Sequence, residues 1–329
     1  MRVLLIGLGR WGEKHLRVLR DLGADVWVAD VSRERLGWAV KQGVSPARTV
    51  SDYRAALAEV DAVDLVTPAD SHLTLATECL EAGRDCFIEK PVTRTVSEGW
   101  ALVERARAAQ RLVQVGHIFR FHPVTECLRA ALASDRIGAV RYATGRFAGF
   151  KRPRTDVGVT QTDAIHYFDL FAFLLGRDAT SVTGLVRDYL GREMDDLSFT
   201  TVEYGQTPVV VEAGYFVPGT HRECLIVGER GSLVADFGQS TVTAYAGEHR
   251  RHGDAWEAVE TGVEELKVSG DEPLRRELAA FLHCVAERVQ PPVGAGAGVR
   301  ALEVVEAAAL SSRLGRRVSL DEIRTARVH

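Results

Sequence analysis

The segment after the initial methionine restricts the possible folds more than any other. It is a continuously apolar run, RVLLIG (2–7), that leads into three glycines with the spacing G-x-G-x-x-G: Gly7, Gly9 and Gly12. A run of this kind is typical of a parallel strand covered on both faces. Residues 12–22 carry leucines three positions apart, which is typical of a helix. The segment therefore predicts a strand, a tight turn and a helix that pack closely together.

Strand-like and helix-like segments alternate through the first third of the chain. The predicted strands are 2–7, 25–30, 62–68, 85–91 and 111–117, and the predicted helices are 12–22, 32–42, 71–83 and 97–109. Alternation at this spacing predicts a doubly wound parallel sheet with helices on both faces. We therefore predict a Rossmann-type domain over residues 1–121.

The order of elements changes after residue 121. A helix near 123–134, a strand at 140–150 and a helix within 155–176 are followed by six strand-like runs, at 181–189, 196–204, 208–217, 222–228, 232–237 and 240–246. Consecutive strands joined by short turns favour an antiparallel sheet. Two final helices are predicted at 272–288 and 297–313. Residues 122–329 are therefore predicted to form a second, α+β domain in an α/β chain.

Composition and charge exclude several classes of protein. The 329 residues contain 41 basic and 45 acidic side chains, a net charge of −4, whereas nucleic-acid-binding proteins normally carry a basic excess. No apolar run approaches the roughly 18 residues of a membrane span, and RVLLIGLG is too short for the core of a signal peptide. The five cysteines are scattered without a CxxC pair, which indicates neither a disulfide framework nor a metal site. We expect a cytoplasmic protein without a metal.

The glycine motif indicates dinucleotide binding because it lies in a predicted βαβ unit. There Gly7 would allow the tight turn, Gly9 would let a pyrophosphate approach the backbone, and Gly12 would let the helix pack closely on the strand. Asp30 ends the second strand, 18 residues after Gly12, where a carboxylate accepts hydrogen bonds from ribose hydroxyls and repels a 2′-phosphate. We therefore predict NAD, rather than NADP, as the cofactor. The alternative is a structural glycine turn followed by a surface aspartate.

Further cofactor contacts are predicted where strands end, because ligands bind at the carboxyl ends of strands in such sheets. They are Arg10 and Trp11 in the glycine motif, Thr67 and Pro68 in the turn TPADSH, His72 just after it, and Glu89 and Lys90 in IEKP. A histidine at the start of a helix is equally often a solvated cap.

Lys90 is also a candidate acid/base. It ends an apolar strand and would point into the cofactor cleft, near a nicotinamide that is cationic when oxidised. A like charge and partial burial both disfavour the ammonium form of lysine. The alternative is that Lys90 is a solvent-exposed residue at the end of the strand, which contributes to the solubility of the protein.

Four features together resemble the Gfo/Idh/MocA oxidoreductase family: the N-terminal G-x-G-x-x-G, EKP near residue 90, GHIFRFHP, and a helix near residue 160 that carries aspartate and histidine. The likeness extends over nearly the whole chain. It implies a C-terminal domain with an open, mostly antiparallel sheet that often forms dimer or tetramer contacts. It also implies that Lys90 is an active-site residue, that Pro91 follows a cis peptide, and that His166 is the histidine of the family's D-x-x-x-H pattern.

The sequence departs from that pattern at the aspartate. The family's aspartate falls at Thr162, and Asp163 is the next residue. On a helix, Thr162, Asp163 and Asp169 can share the face of His166, and a carboxylate at this spacing could fix the tautomer of a catalytic imidazole. We predict that Lys90 and His166, with Asp163, act on a sugar hydroxyl, although which of the first two is the base stays open. A core histidine satisfied by Asp169 is the alternative.

The predicted substrate contacts are Thr162, Asp163 and His166 of this helix and four cationic residues near it. The cationic residues are Arg120, Lys151, Arg152 and Arg154. Arginine and lysine beside a sugar site suit a diphosphate, although charged runs are also typical of solvated loops. The segment is similar to the nucleotide-sugar branch of the family, which implies oxidation of the 3-hydroxyl of a UDP-N-acetylhexosamine. The alternatives are an inositol or free-monosaccharide dehydrogenase and a non-enzymatic NAD-binding regulator.

Overall fold

The computed structural model describes residues 1–325, which group into two compact units. The first unit comprises Met1–Ile118 and Glu272–Leu302, and the second comprises Phe119–Asp271 and the described chain from Glu303 onward. The division predicted at residue 121 assigned the whole C-terminal part to the second domain. In the structure, Glu272–Leu302 groups with the first unit instead.

The first unit is built on a six-stranded parallel sheet. Its strands are β1 (Arg2–Ile6), β2 (Asp25–Ala29), β3 (Thr49–Val50), β4 (Ala62–Leu65), β5 (Asp85–Glu89) and β6 (Val113–Gly116). Its helices are α1 (Arg10–Asp21), α2 (Arg33–Lys41), α3 (Ala69–Glu81), α4 (Val96–Ala109), α7 (Pro273–Glu287) and the start of α8 (Ala295–Leu314). The strand order β3-β2-β1-β4-β5-β6 is that of a Rossmann fold. The predicted doubly wound sheet is confirmed.

Helix α7 belongs to this unit because its apolar face fills the core between α1 and the sheet. Leu274, Leu278 and Phe281, at positions i, i+4 and i+7, are at most 2% exposed. The ring of Phe281 meets that of Phe87 on β5 edge to face, with centroids 5.8 Å apart. Burial of side chains of this size stabilises the fold by about 1.5–3 kcal/mol each. The helical periodicity was visible in the sequence, but its partner was not.

The second unit is built on a nine-stranded sheet with the order β14-β13-β12-β11-β7-β10-β9-β8-β15. Strand β10 pairs with β7 in parallel, and the other neighbours are antiparallel. The strands are β7 (Val140–Gly149), β8 (Ser181–Arg187), β9 (Leu197–Tyr204), β10 (Thr207–Gly214), β11 (Thr220–Gly228), β12 (Gly231–Asp236), β13 (Thr241–His252), β14 (Ala255–Leu266) and β15 (Val318–Ser319). The helices are α5 (Pro123–Ala133), α6 (Ile165–Leu175), the end of α8, and α9 (Leu320–Thr325). The predicted mostly antiparallel sheet is confirmed.

One face of this sheet is buried and the other is half-exposed. Tyr167 of α6 lies against Gly145 on the buried face, where a Cβ would be 2.6 Å from the tyrosine ring. The outward positions carry large apolar side chains that remain 41–45% exposed: Tyr142, Leu185, Phe199, Val210, Val234 and Tyr245. Strand alternation therefore places an apolar surface on the outer face of the sheet.

The sequence analysis did not predict β14 and ended β13 six residues early. Residues 255–266 are almost all exposed, as are the last residues of β13. A hairpin exposed on both faces lacks the alternation that marks a half-buried strand, because neither face excludes polar residues.

The helix predicted within 155–176 also differs from the prediction. Its α-helical part is Ile165–Leu175, and a wider π-helical turn, Thr160–Ala164, precedes it. Turns of this kind are rare and often mark functional sites. Here it lies at the positions where the sequence departs from the family's D-x-x-x-H pattern.

Candidate functional site

The three glycines of the first turn differ in what surrounds them. A Cβ on Gly12 would lie 2.0 Å from the carbonyl oxygen of Gly7, and a Cβ on Gly7 would lie 2.6 Å from that of Val66. Gly7 also has φ +100°, which favours glycine. A Cβ on Gly9 would meet no atom within 4 Å. Packing within the protein therefore explains Gly7 and Gly12, whereas the open space at Gly9, where α1 begins, fits an approaching pyrophosphate.

Asp30 lies beside this turn at the end of β2. Its Oδ2 accepts a hydrogen bond from the backbone N–H of Leu8 at 2.7 Å, and its Oδ1 accepts one from that of Ser32 at 2.8 Å. Arg35 donates from Nε to the carbonyl oxygen of Leu8 at 2.5 Å. The carboxylate is thus fixed against the glycine turn, while the Arg10 side chain is exposed.

His72 connects two turns of the first unit. It is 1% exposed, with Nε2 2.9 Å from the carbonyl oxygen of Thr67 and Nδ1 2.9 Å from that of Pro91. Burial lowers the pKa of His72, which favours the neutral ring. Pro68 precedes α3 at its N-cap position. His72 therefore holds the Thr67–Pro68 turn close to the Lys90–Pro91 turn.

Lys90 lies half-buried directly after β5. The Lys90–Pro91 peptide is cis, as the family resemblance implies. The backbone N–H of Lys90 donates to Oε2 of Glu89 at 3.1 Å, and Oε1 of Glu89 accepts from Nε1 of Trp11 at 2.8 Å. Trp11 and Glu89 thus connect the glycine turn to the Lys90 turn within this unit.

A buried histidine completes this connection. The Nδ1 atom of His15 lies 2.8 Å from Oδ2 of Asp64, and its Nε2 atom lies 3.3 Å from Oε1 of Glu89. Burial alone would lower the pKa of His15, but its attraction to Asp64 and its bonds to both carboxylates raise that pKa to about 10. Burial would raise the pKa of Glu89, yet the bond to His15 and the charges of His15 and Lys90 bring it below its ordinary value. Burial raises the pKa of Asp64, which His15 partly offsets.

In the second unit, His166 lies among aromatic rings. It is 5% exposed, and its ring stacks on those of Phe119 and Phe147, with centroids 4.9 and 5.3 Å apart. Phe119 in turn stacks on Phe237 at 4.4 Å. These stacks fix the orientation of the imidazole ring. A group that exchanges a proton with a substrate needs such a fixed orientation.

The two carboxylates nearest His166 in sequence bind cations. Asp163 is 5% exposed, and its Oδ2 lies 2.6 Å from Nζ of Lys151. Asp169 is held by two nitrogens of Arg120, with Nε 2.7 Å from Oδ2. The sequence analysis expected a carboxylate to orient His166, and it treated Arg120 and Lys151 as substrate contacts. The structure pairs those cations with those carboxylates.

The remaining predicted substrate contacts are spread over the same unit. Thr162 is buried, with its hydroxyl 3.3 Å from that of Tyr215. Arg154 binds Asp156 from Nε at 2.7 Å, and Arg152 is exposed. Of the predicted cations, Lys151 is therefore the one that the structure ties to Asp163.

The sequence analysis missed several residues at these sites. In the first unit they are His15 and Asp64; in the second they are Phe119, Phe147, Arg222 and Tyr215. Asp64 carried a signal, because it is a single charge within the apolar strand AVDL. His15 lies beside Leu16 on a face that packs into the core, which also indicated a buried ionisable group. Arg222, whose guanidinium carbon is 3.4 Å from the centroid of Phe147, follows no pattern that would have marked it.

Residues 1–325 contain no helix that is both long and apolar enough to cross a membrane. Within the same residues, no group of three or more His, Cys, Asp or Glu side chains is arranged to hold a metal ion.

Comparison with known proteins identifies the class to which this fold and these residues belong. Residues 1–117 match the NAD-binding Rossmann fold domain of the Gfo/Idh/MocA oxidoreductase family, and residues 129–320 match the C-terminal alpha/beta domain of that family. The chain belongs to the Gfo/Idh/MocA oxidoreductase family and is an NAD-dependent oxidoreductase. The family resemblance and the NAD cofactor are thereby confirmed.

Individual relatives include enzymes for several sugars and polyols. The UDP-N-acetylglucosamine 3-dehydrogenase of Acidithiobacillus ferrooxidans is 29% identical over 287 residues, which cover 87% of this chain and 89% of that protein. Its solved structure superposes with a TM-score of 0.83 at 25% identity, covering 95% and 98% of the two chains. The inositol 2-dehydrogenase of Acidothermus cellulolyticus is 31% identical over 271 residues, 76% of this chain and 77% of that one.

The glycine geometry predicts different outcomes for two alanine substitutions. Gly12→Ala forces a Cβ against the Gly7 carbonyl, and overpacking of this kind costs about 1–3 kcal/mol, so the unfolding temperature should fall by several degrees. Gly9→Ala should leave the unfolding temperature near that of the wild type but weaken NADH binding about tenfold or more, because its Cβ enters the space open to the pyrophosphate.

Thermal unfolding and fluorescence titration with NADH measure the two effects. Equal loss of stability in both variants would contradict this assignment of the glycines.

Proposed function

We propose that the protein oxidises the 3-hydroxyl of a UDP-N-acetylhexosamine with NAD⁺. The observation that carries the proposal is the cationic surrounding of the π-helical turn before His166. Lys151 binds Asp163 there, and Arg222 also exerts its charge on Asp163. Lysine and arginine side chains at such a site suit the diphosphate of a nucleotide sugar. The likeness to the UDP-N-acetylglucosamine 3-dehydrogenase over most of both chains supports the same substrate class.

The first unit supplies the residues that would hold the cofactor. The open space at Gly9 and the N-terminus of α1 suit the pyrophosphate, and the Asp30 carboxylate suits the adenosine ribose. Bound NAD⁺ supplies the hydride acceptor. The negative charge of Asp30 disfavours a 2′-phosphate, which is the basis for proposing NAD rather than NADP.

Lys90 and His166 are the proposed proton carriers. Lys90 is held at its backbone by Glu89, and the stacks on Phe119 and Phe147 restrict the ring of His166. One of the two removes the hydroxyl proton as the carbon is oxidised, and the other donates a hydrogen bond to the same oxygen. Asp163 positions Lys151 toward the substrate through their ion pair.

An inositol dehydrogenase is the second candidate. Its support is the inositol 2-dehydrogenase of Acidothermus cellulolyticus, which is 31% identical over three quarters of both chains. Inositol carries no phosphate, so in this function the cations beside Asp163 would bind no diphosphate and could only donate hydrogen bonds to hydroxyls.

A substrate panel separates these functions and tests the proton carriers. NADH formation should be fastest with UDP-N-acetylglucosamine or UDP-N-acetylgalactosamine and slow with myo-inositol. Lys90→Met and His166→Asn should each lower kcat by about 10²–10⁴-fold, because general acid–base catalysis contributes that much, while NADH binding stays near the wild-type level.

Wild-type turnover in both variants would contradict the assignment of Lys90 and His166. Faster oxidation of inositol than of either nucleotide sugar would contradict the proposed substrate.

The charge of Asp30 makes the cofactor preference testable. Asp30→Asn keeps the shape of the side chain but removes the charge that opposes a 2′-phosphate. The ratio of kcat/KM for NADP⁺ to that for NAD⁺ should therefore rise about tenfold. Asp21→Asn, a neutralisation at an exposed position of α1, should leave the ratio unchanged. An unchanged ratio in Asp30→Asn would show that other groups set the preference.

We further propose that the outer face of the second unit's sheet forms the contact of a homodimer or homotetramer. That face carries apolar side chains from six strands, and apolar surfaces of this kind often mark protein–protein contacts. A second copy of the same chain presents the same apolar face, as a two-fold interface requires.

Val210 lies on this face and is 42% exposed. Val210→Glu should shift the mass in light scattering from a multiple of 36.0 kDa toward a single chain. Val289→Glu places the same charge at a similarly exposed position, 44%, in the first unit, and should not change the mass. A monomeric wild type, or an unshifted Val210→Glu variant, would overturn this assembly.

A further inference from the structure

Three buried ionisable side chains form a line through the first unit that ends beside Lys90. Asp64 and His15 are fully buried, and Glu89 is 7% exposed. His15 bridges the two carboxylates through its two ring nitrogens, at 2.8 and 3.3 Å. The second oxygen of Glu89 accepts the backbone N–H of Lys90. An imidazole that solvent does not reach is thus linked, through Glu89, to the backbone of Lys90, the residue proposed to move a proton.

The surroundings of His15 favour its protonated form. Its Nδ1 atom is hydrogen-bonded to Oδ2 of Asp64, and its Nε2 atom lies 3.3 Å from Oε1 of Glu89, so each ring nitrogen faces a carboxylate oxygen. A neutral imidazole carries one N–H, whereas an imidazolium carries two. The charged groups that act on the ring are Asp64 from β4 and Glu89 from β5. Trp11 of its own helix and Phe87 of β5 present ring edges instead, with centroids 5.8 and 5.7 Å away. The two carboxylates therefore favour the imidazolium form of His15.

The charge of His15 matters because Glu89 lies between it and Lys90. A carboxylate beside a lysine favours the ammonium and makes its proton harder to remove. A positive charge on the other side of that carboxylate acts in the opposite direction. His72 lies at the same turn, and burial lowers its pKa, which favours its neutral form.

We propose that protonated His15, held between Asp64 and Glu89, is a positioning residue that weakens the hold of Glu89 on the Lys90 ammonium. Removal of the Lys90 proton is thereby easier than it would be beside an uncompensated Glu89 carboxylate. This inference rests on the proposed role of Lys90 as a proton carrier. It gives Asp64 a function too, because Asp64 is the partner that keeps His15 charged inside the protein.

The titration of Lys90 tests the inference without substrate or cofactor. The chain contains five lysines, so protein labelled with [ε-¹³C]lysine gives few signals, and Lys90→Arg identifies that of Lys90. His15→Gln removes the positive charge and should move the titration midpoint of Lys90 upward by about half a pH unit or more. Glu89→Gln removes the negative charge and should move it downward.

His283→Gln is the matched control, because it makes the same substitution at an exposed histidine of the first unit. It should leave the midpoint of Lys90 unchanged. An unchanged or lowered midpoint in His15→Gln would overturn the proposal.

A measurement on the wild type covers the case in which His15→Gln does not fold. In ¹⁵N-histidine spectra at pH 8.5, one histidine should keep the shifts of an imidazolium with two protonated nitrogens. If every histidine is neutral at that pH, the proposal fails. Because neither measurement uses turnover, a protein inactive on the whole sugar panel can still show the Lys90 shift, so failure of the proposed function is distinguishable from failure of this inference.

Discussion

The contact between Gly12 and the carbonyl of Gly7 is the constraint on which the first unit depends. With 2.0 Å available to a Cβ, no other residue at position 12 lets α1 start so close to the end of β1. This closeness brings His15, one turn further along α1, within reach of Asp64 on the neighbouring strand. It also brings Trp11 within hydrogen-bond distance of Glu89. The turn that makes room for a pyrophosphate is therefore the same turn that assembles the buried ionisable groups.

The two units handle buried charge differently. In the first unit, one histidine, His15, lies between two carboxylates, those of Asp64 and Glu89. In the second unit, carboxylates and cations pair one to one: Asp169 with Arg120 and Asp163 with Lys151. Asp169 and Arg120 are nearly inaccessible, with side chains 1% and 13% exposed, whereas Lys151 is 33% exposed. Solvent therefore reaches the Lys151 pair more readily than the Arg120 pair.

Much of the fold could be predicted from the sequence because its apolar patterns are strong. The buried strands of the parallel sheet and the helices between them follow from periodicity alone, and the six strands after residue 181 alternate as half-buried strands should. Strand β14 could not be predicted, since neither of its faces is buried. The place of α7 in the first unit also could not, because periodicity shows that a helix has an apolar face but not which core that face joins.

The candidate site was predictable to the extent that its residues occur in short motifs. Gly7, Gly9, Gly12, Asp30 and Lys90 follow from their positions after strands, whereas the pairing of Asp163 with Lys151 depends on a π-helical turn that spacing does not reveal. The stack of His166 on Phe119 and Phe147 joins residues from three separate segments. Contacts of this kind depend on tertiary structure and leave no local signal.

The membership of α7 in the first unit has a consequence for biosynthesis. Phe87 and its neighbours lie next to Phe281, Leu278 and Leu274, which the ribosome adds only after residues 119–271 of the second unit have been made. Until then the nascent Rossmann sheet carries an uncovered apolar surface beside α1. The first unit thus completes its core only after most of the second unit has been synthesised.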